Sequence, residues 1–473
     1  MTDIKCDLCI IGAGSAGLSI ASGAAQLGRK VVLIEKGKMG GDCLNYGCVP
    51  SKSLLASAKT AQGFRTAEKF GIGAVEPDVD FAKVHDHIHS VIAAIEPNDS
   101  QERFEKLGCT VLREAARFIG PREVMVGADK VRAKHFVIAT GSRPFVPPIE
   151  GLESVPYLTN ETLFDRTSPP RHLLIIGGGP IGLEMAQAHR RLGAEVTVME
   201  RGTIMPKDDP ELVEIVRQRL IEEGVVLHEH TDITRVGGQD GAITVQGQKS
   251  GGAFDASGSH LLVAVGRRAN FESLDLEKAG VETHDKGIKV NDRLRTSNKR
   301  IYAIGDVIGG RQFTHVAGYH ANIAVRNILF KMPTKNKDDI APWVTYTDPE
   351  LAHVGLNVGM ADEKREKYTV AEWSYDENDR AQAEHANAGR AKVLVGKGGH
   401  ILGCTIVGKN AGDLIGPWAL AVANKLKIGA FTSMIAPYPT LTEVSKRAAS
   451  AYYSPTLFSG KTRKLVSLLS IFD

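Results

Sequence analysis

Two cysteines with four residues between them, Cys43 and Cys48 in the run GGDCLNYGCVPSK, are the side chains of this sequence best placed for redox chemistry. Gly47 lies between them, and Pro50 and Lys52 follow. Pro50 suits the first turn of a helix, where a missing N–H costs nothing. A thiol at or just before that helix N-terminus feels the positive end of the helix dipole, which favours thiolate. Two thiols at this spacing can close a disulfide if the chain bends, and a strained, exposed disulfide exchanges readily. The competing readings are two inert buried cysteines or half of a zinc site. No second Cys/His pair at metal-ligand spacing follows, and a dinucleotide-type unit adjoins the pair, so thiol–disulfide exchange is the stronger reading.

That adjoining unit occurs twice. DLCIIGAGSAGLSIASGAAQLGRKVVLIEK runs from Asp7 to Lys36, and HLLIIGGGPIGLEMAQAHRRLGAEVTVMER from His172 to Arg201. Each reads as an apolar strand, a G-x-G-x-x-G loop, an amphipathic helix and a second apolar strand closing on an acid. The offset is constant from Gly12 to Gly177, Gly17 to Gly182 and Glu35 to Glu200. Gly12 or Gly177 permits the tight turn, and Gly14 or Gly179 lets backbone approach a pyrophosphate. Gly17 or Gly182 lets the helix pack closely, so its N-terminus faces the phosphates. Glu35 and Glu200 stand near the ~20-residue spacing at which a carboxylate meets ribose hydroxyls. One such loop is a weak signal, since glycine turns also serve plain packing; two complete units predict two bound dinucleotides. A carboxylate at Glu200 suits a free 2′-hydroxyl, so NADH is expected over NADPH. Arg201 beside it could instead serve a phosphate.

These units must be carried by more than one core. A chain of 473 residues is expected to form two to four domains. The hydrophobic share of 42% and charged share of 24% are globular averages, and the net charge of +3 predicts no nucleic-acid surface. Glycine, with 50 copies, is the one skewed residue, clustered where strands turn into helices. Six cysteines in so long a chain do not make a secreted disulfide framework. The start MTDIKCDLCIIGAG enters a strand without a leader pattern, and no stretch approaches the ~20 apolar residues of a membrane helix. A cytoplasmic address is expected.

With these motifs in place, the sequence resembles the pyridine nucleotide–disulfide oxidoreductases, the family of the dihydrolipoamide dehydrogenases and mercuric reductases. GGDCLNYGCVPSK is similar to that family's GGTCLNVGCIPSK, and the likeness spans essentially the whole chain. ATGSRP (Ala139 to Pro144) and AVGRRAN (Ala264 to Asn270) resemble its links between domains. IYAIGDV (Ile301 to Val307) resembles its second flavin-contact segment, and VTYTDPELAHVG (Val344 to Gly355) the start of its dimerisation domain. The resemblance implies a homodimer with FAD on the first unit and NAD(H) on the second. It implies that Cys48 is the thiol against the flavin and Cys43 the one that exchanges with a small or protein-bound disulfide or dithiol. Lys52 would sit near flavin N5 and pair with Glu184, and Asp306 would bind the ribityl chain. Thr314, His315 and Ala317 would open a helix aimed at the flavin pyrimidine. Lys36, Gly41, Asp42, Thr140, Gly141 and Gly266 fall in the matching segments and are carried over as cofactor contacts. The expected architecture is α/β, two Rossmann-like FAD/NAD(P)-binding domains plus a C-terminal α+β dimerisation domain. An FAD domain takes 1–145 and is completed by 272–340, an NAD(P) domain takes 146–271, and the interface domain takes 341–473.

The pattern breaks at one place. The family's thiol-handling base is a histidine in an H-P-T-x-x-E segment, supplied by the partner subunit and held by the glutamate. Here the segment is YPTLTE, with Tyr438 in the histidine position and Glu443 in the glutamate position, and no histidine follows His400. Histidine near pKa ~6.5 exchanges protons at neutral pH, whereas tyrosine near ~10 remains protonated. General acid–base help is worth about 10²–10⁴-fold, so fast dihydrolipoamide oxidation is not expected. Acceptors needing no such base fit better: good-leaving-group disulfides, persulfides, quinones or thiol-bound metal ions. The alternatives are a mercuric reductase-like metal reductase, a quinone reductase or diaphorase, and a low-turnover flavin subunit. Two absences weigh against the first: no cysteine follows Cys404, and no cysteine-bearing metal module precedes the flavin unit.

Other features are expected to be structural. His85, His87 and His89 read as a solvated helix face, and no metal site is expected. Cys6, Cys9, Cys109 and Cys404 read as small apolar filler. The tail from Lys461 is basic first and apolar afterwards; docking on the dimer surface is the default, and a membrane or partner-protein contact the alternative.

Overall fold

A computed structural model of the chain describes residues 2–472. Apolar strands too short and too uniformly buried to alternate with solvent form parallel sheets covered on both faces. In the first sheet Cys109–Leu112, Val31–Ile34, Asp3–Ile11 and Asp129–Ile138 lie side by side in that order, all parallel. The ten-residue strand Asp129–Ile138 is long enough to serve two partners. Its first half pairs with the antiparallel strand Glu123–Val126, and its second half with Ile301–Ala303, which returns from the far side of the sequence.

Side chains on these strands alternate between two cores, as a period of two requires. Leu8, Ile10 and Leu33 face helices Ser15–Gln26 and Thr314–Ile328, while Cys9, Ile11, Val32 and Ile34 face the antiparallel strands on the other side. The second unit repeats this. Val225–His228, Glu195–Met199, His172–Ile176 and His260–Val263 form a parallel sheet, with a three-stranded antiparallel sheet from Thr231 to Gly258 beside it. Two short strands, Ser142–Pro144 and Arg267–Ala269, pair antiparallel where the chain enters and leaves this unit.

The last part is a five-stranded sheet ordered Trp343–Thr345, Glu350–Gly355, Ile401–Gly408, Arg390–Gly396, Tyr368–Ser374, antiparallel throughout. Helices Ala411–Ala423 and Thr442–Leu457 cover it around buried Trp418, which stacks on Phe431 at 3.7 Å. This sheet is joined to the second unit by Leu351 and Val407, which enter that unit's hydrophobic core, and by polar contacts. Arg191 bridges Glu223 and Asp348, Lys392 meets Asp209 at 2.9 Å, and the Trp343 indole donates to Asp208 at 2.7 Å. The chain is therefore α/β, with two Rossmann-like units and a C-terminal α+β domain.

Cys6, Cys9, Cys109 and Cys404 are buried, as their apolar neighbours suggested, and burial pushes the Cys6 thiol up to about 12. The histidine face is a correction. His85 and His89 are half-buried with ring centroids 4.1 Å apart, and His89 Nε2 meets the Phe164 carbonyl; only His87 is exposed. Helix Phe81–Ile95 packs against the second unit through this side, which a one-helix reading cannot anticipate. Among the described residues no group of three or more His, Cys, Asp or Glu could hold a metal ion, and no helix is long and apolar enough to cross a membrane.

Candidate functional site

The glycines of each loop divide into two physical classes. A Cβ on Gly17 would stand 1.8 Å from the Gly12 carbonyl oxygen, and one on Gly12, at φ +105°, 2.3 Å from the Ala139 oxygen. Gly182 and Gly177 are constrained in the same way, at 2.0 Å and 2.4 Å. The protein's own packing therefore demands glycine at the first and third positions. The middle glycines differ. Gly14 meets only the Gly41 Cα at 3.8 Å, and Gly179 meets nothing within 4 Å. No protein atom requires them, so the open space they leave fits the close approach of a pyrophosphate.

The acidic residues closing each unit have matching partners. Glu35 accepts the N–H of Ala13 and of Gly37, both at 2.7 Å; Glu200 accepts those of Gly178 at 2.6 Å and Gly202 at 2.8 Å. Each carboxylate ties the glycine loop to the end of the second strand and keeps lone pairs free for ribose hydroxyls. Arg201 turns away, 82% exposed and 3.4 Å from Asp232.

The cysteines stand on two helices. Gly41–Asn45 carries Cys43, and Cys48 is the first residue of Cys48–Arg65, with Pro50 in its first turn. Both are free thiols opening into a cavity of about 890 Å³. Its walls come from three regions: Gly12, Gly14, Glu35 and Lys36 of the first unit, Glu184 of the second, and Tyr346 of the last sheet. Gly41, Asp42, Thr140, Gly141, Asp306, Thr314, His315 and Ala317 line it as well. Gly17, Gly266 and the three motif glycines of the second loop lie outside this lining, although Pro180 and Ile181 of that loop belong to it.

Electrostatics separates the two sulfurs. The Cys43 thiol donates to Cys48, and this bond, with help from Thr314 and Lys52, lowers the Cys48 thiol to about 6 against the opposing effect of burial. The same bond and burial push Cys43 far upward. Thr314 Oγ1 lies 3.4 Å from Cys48 Sγ at the start of helix Thr314–Ile328. One turn into the cysteine helix, Lys52 Nζ meets Glu184 Oε2 at 2.8 Å across the unit boundary. Asp306 is half-buried, its carboxyl held above the ordinary range by desolvation while Ser142 donates to it at 2.7 Å. His315 stacks on Phe313 and its Nε2 meets the Pro342 carbonyl.

Segment 6–321 matches the family described as pyridine nucleotide-disulphide oxidoreductase, and 341–449 its dimerisation domain. The chain belongs to this family. It is similar to the mercuric reductase of Lysinibacillus sphaericus, 36% identical over 94% of this chain and 82% of that one. The dihydrolipoyl dehydrogenase of Bacillus subtilis (strain 168) is 33% identical, covering 93% and 97%. Among solved structures, the HOCl-induced flavoprotein disulfide reductase RclA of Escherichia coli superposes with a TM-score of 0.84 at 26% identity, covering 94% and 99%. As a pyridine nucleotide–disulfide oxidoreductase, the chain is a flavoprotein disulfide reductase of a family that binds FAD and a pyridine nucleotide, and its dimerisation domain points to a homodimer.

Tyr438 and Glu443 stand apart from the cavity within one chain. Tyr438 is 71% exposed, and its hydroxyl donates to Asp379 Oδ2 at 3.0 Å rather than to Glu443. The hydroxyl ends a longer ring than imidazole and finds Asp379, first residue of helix Asp379–Ala383. The Asp379 carboxylate favours the protonated phenol and raises its pKa further. Sequence reasoning missed Asp379. It also missed Tyr346, whose ring lies 4.3 Å beneath Lys52 Nζ and whose N–H caps Glu184 at 2.9 Å. Arg267 and Asn160, which hold Asp42 at 2.9 and 3.0 Å, were missed as well. Tyr346 and Arg267 lie inside quoted motifs, but their partners are distant in sequence.

Proposed function

We propose that this chain is an NADH-dependent disulfide reductase whose Cys43–Cys48 pair carries electrons to an acceptor that needs no strong external base. The observation that carries the reading is that Cys43 and Cys48 open together into the one cavity shared by the first glycine loop and the Lys52–Glu184 pair. Gly12, Gly14, Gly17, Glu35, Asp42 and Asp306 would hold FAD, and Gly177, Gly179, Gly182 and Glu200 the nicotinamide dinucleotide. When bound, the flavin supplies hydride acceptance from the nicotinamide and two-electron transfer to sulfur.

The protein's part follows from its own groups. Lys52, fixed between Glu184 and the Tyr346 ring, brings a positive charge to the cavity and favours thiolate on Cys48. Cys48 thiolate is the weaker base of the pair, so the Cys43 proton leaves only as Cys43 attacks, passing to the departing sulfur of the acceptor. Cys43 then attacks one sulfur of the acceptor disulfide, forming a mixed disulfide and releasing the first thiol with that proton. Cys48 thiolate attacks Cys43, closing the intramolecular disulfide and releasing the second thiolate, which takes a proton from water. Tyr438 can donate a hydrogen bond to a leaving sulfur but removes no proton at neutral pH.

Glu200 with its two loop N–H bonds favours NADH, and Arg201, engaged with Asp232, leaves the 2′-position without a dedicated cation. The test is an anaerobic titration with NADH and NADPH, followed by an acceptor screen of lipoamide, glutathione disulfide, coenzyme A disulfide, quinones and mercuric ion. A four-electron end point with a thiolate–flavin absorbance band, and turnover of a disulfide lost in Cys43→Ser, support the proposal. Full turnover by Cys43→Ser would leave a diaphorase.

A further inference from the structure

The helix Gly460–Leu469 and the turn Ser470–Phe472 after it bury no side chain. Leu465, Leu468, Leu469 and Phe472 recur at i, i+3, i+4 and i+7, which puts them on one helix face. Each is more than half exposed, Phe472 by 84%. On a globular domain a face of this kind is ordinarily turned inward, so its exposure marks a surface built to meet something else. Arg463, Ser467 and Ser470 take the opposite side, and Leu457 and Phe458, just before this helix, are exposed as well.

Charge identifies the occupant. Between Glu443 and Asp473 the sequence holds no acidic residue, while Lys446, Arg447, Lys461, Arg463 and Lys464 are all basic. We propose that this helix docks on an anionic lipid bilayer, its apolar face sunk to the headgroup boundary and its cations on lipid phosphates. A second copy fits less well. A symmetric tail-to-tail contact would bring like charges together, and the segment matching the dimerisation domain ends at residue 449, before the tail begins. The ten-residue helix is about half the length needed to span a bilayer, so the contact lies along the surface. Each cation near an anionic surface strengthens partitioning roughly fivefold, so three contribute about a hundredfold. A homodimer would present two such helices, and their avidity turns two weak anchors into one firm one.

The test uses the flavin-loaded protein and vesicles of phosphatidylcholine, with or without about a third phosphatidylglycerol. The protein is expected to sediment with the anionic vesicles, at least about tenfold less with pure phosphatidylcholine, and to be released by high salt. Changing Lys461, Arg463 and Lys464 together to Glu should cost at least about a hundredfold in binding, since three attractive charges become repulsive. Leu465→Asp with Leu469→Asp should abolish binding while NADH oxidation in solution and the dimer mass stay unchanged. Wild-type protein left in the supernatant, or equal binding to neutral vesicles, overturns the proposal. Conversion of the dimer to monomer by the leucine variant also overturns it, since the tail would then close on the partner subunit.

Discussion

Removing the Cys43 thiol should make Cys48 a weaker acid, and the size of the change can be worked from the site. Cys48 sits near pKa 6, about three units below an ordinary thiol, and the bond from Cys43 is the largest contribution. At pH 7 such a group is about nine-tenths thiolate. A hydrogen bond to a charged group is worth about 1.5–3 kcal/mol, or about 1–2 units at 1.36 kcal/mol each. Cys43→Ala should therefore move Cys48 to about 7–8, cutting thiolate at pH 7 to between about a half and a tenth. Cys43→Ser keeps a donor and should move it less. Thr314→Val removes the weaker bond and should move it by about half a unit to one unit. The assay is the pH dependence of the thiolate–flavin absorbance band and of the iodoacetamide alkylation rate, in each variant and in reduced wild type. If Cys43→Ala leaves Cys48 near 6, or if alanine and serine shift it equally, the hydrogen bond is not what acidifies this thiol.

The glycine loops make a paired prediction. Gly17→Ala should yield little soluble protein, because its Cβ meets the Gly12 carbonyl, whereas Gly14→Ala should fold and lose at least about tenfold in bound flavin per polypeptide, measured by absorbance. Glu200→Ala should lower kcat/KM for NADH by about tenfold or more and leave NADPH nearly untouched; equal losses would separate Glu200 from ribose recognition. Tyr438→His should raise dihydrolipoamide oxidation by about 10²-fold at pH 8, and no gain would remove Tyr438 from thiol handling. Asp208 is buried with a pKa raised to about 6 by desolvation. Its folded pKa exceeds the unfolded value near ~3.9, so its favourable contribution is full below that value and lost as pH rises through about 6. Asp208→Asn, which keeps an acceptor for the Trp343 indole, should add about 1–3 kcal/mol at pH 8, about half as much at pH 5 and little below about pH 4, read from denaturation midpoints.

What the sequence determined is what local chemistry dictates. The glycine spacing, buried strand runs and C-x-x-x-x-C segment each act over a few residues, through sterics, hydrogen bonding and a helix N-terminus. They remain readable without coordinates, and so did the four buried cysteines among apolar neighbours. What only the tertiary structure decided is which distant groups share a space. Cys48 owes part of its acidity to Thr314, Lys52 owes its position to Glu184 and Tyr346, and Asp42 is held by Arg267 and Asn160. Tyr438 found Asp379 where the motif named Glu443, and His85 and His89 are half-buried because they flank the side of their helix that packs on another unit. Charge, desolvation and hydrogen bonding depend on distances in space, and a sequence fixes those only once the whole chain has packed.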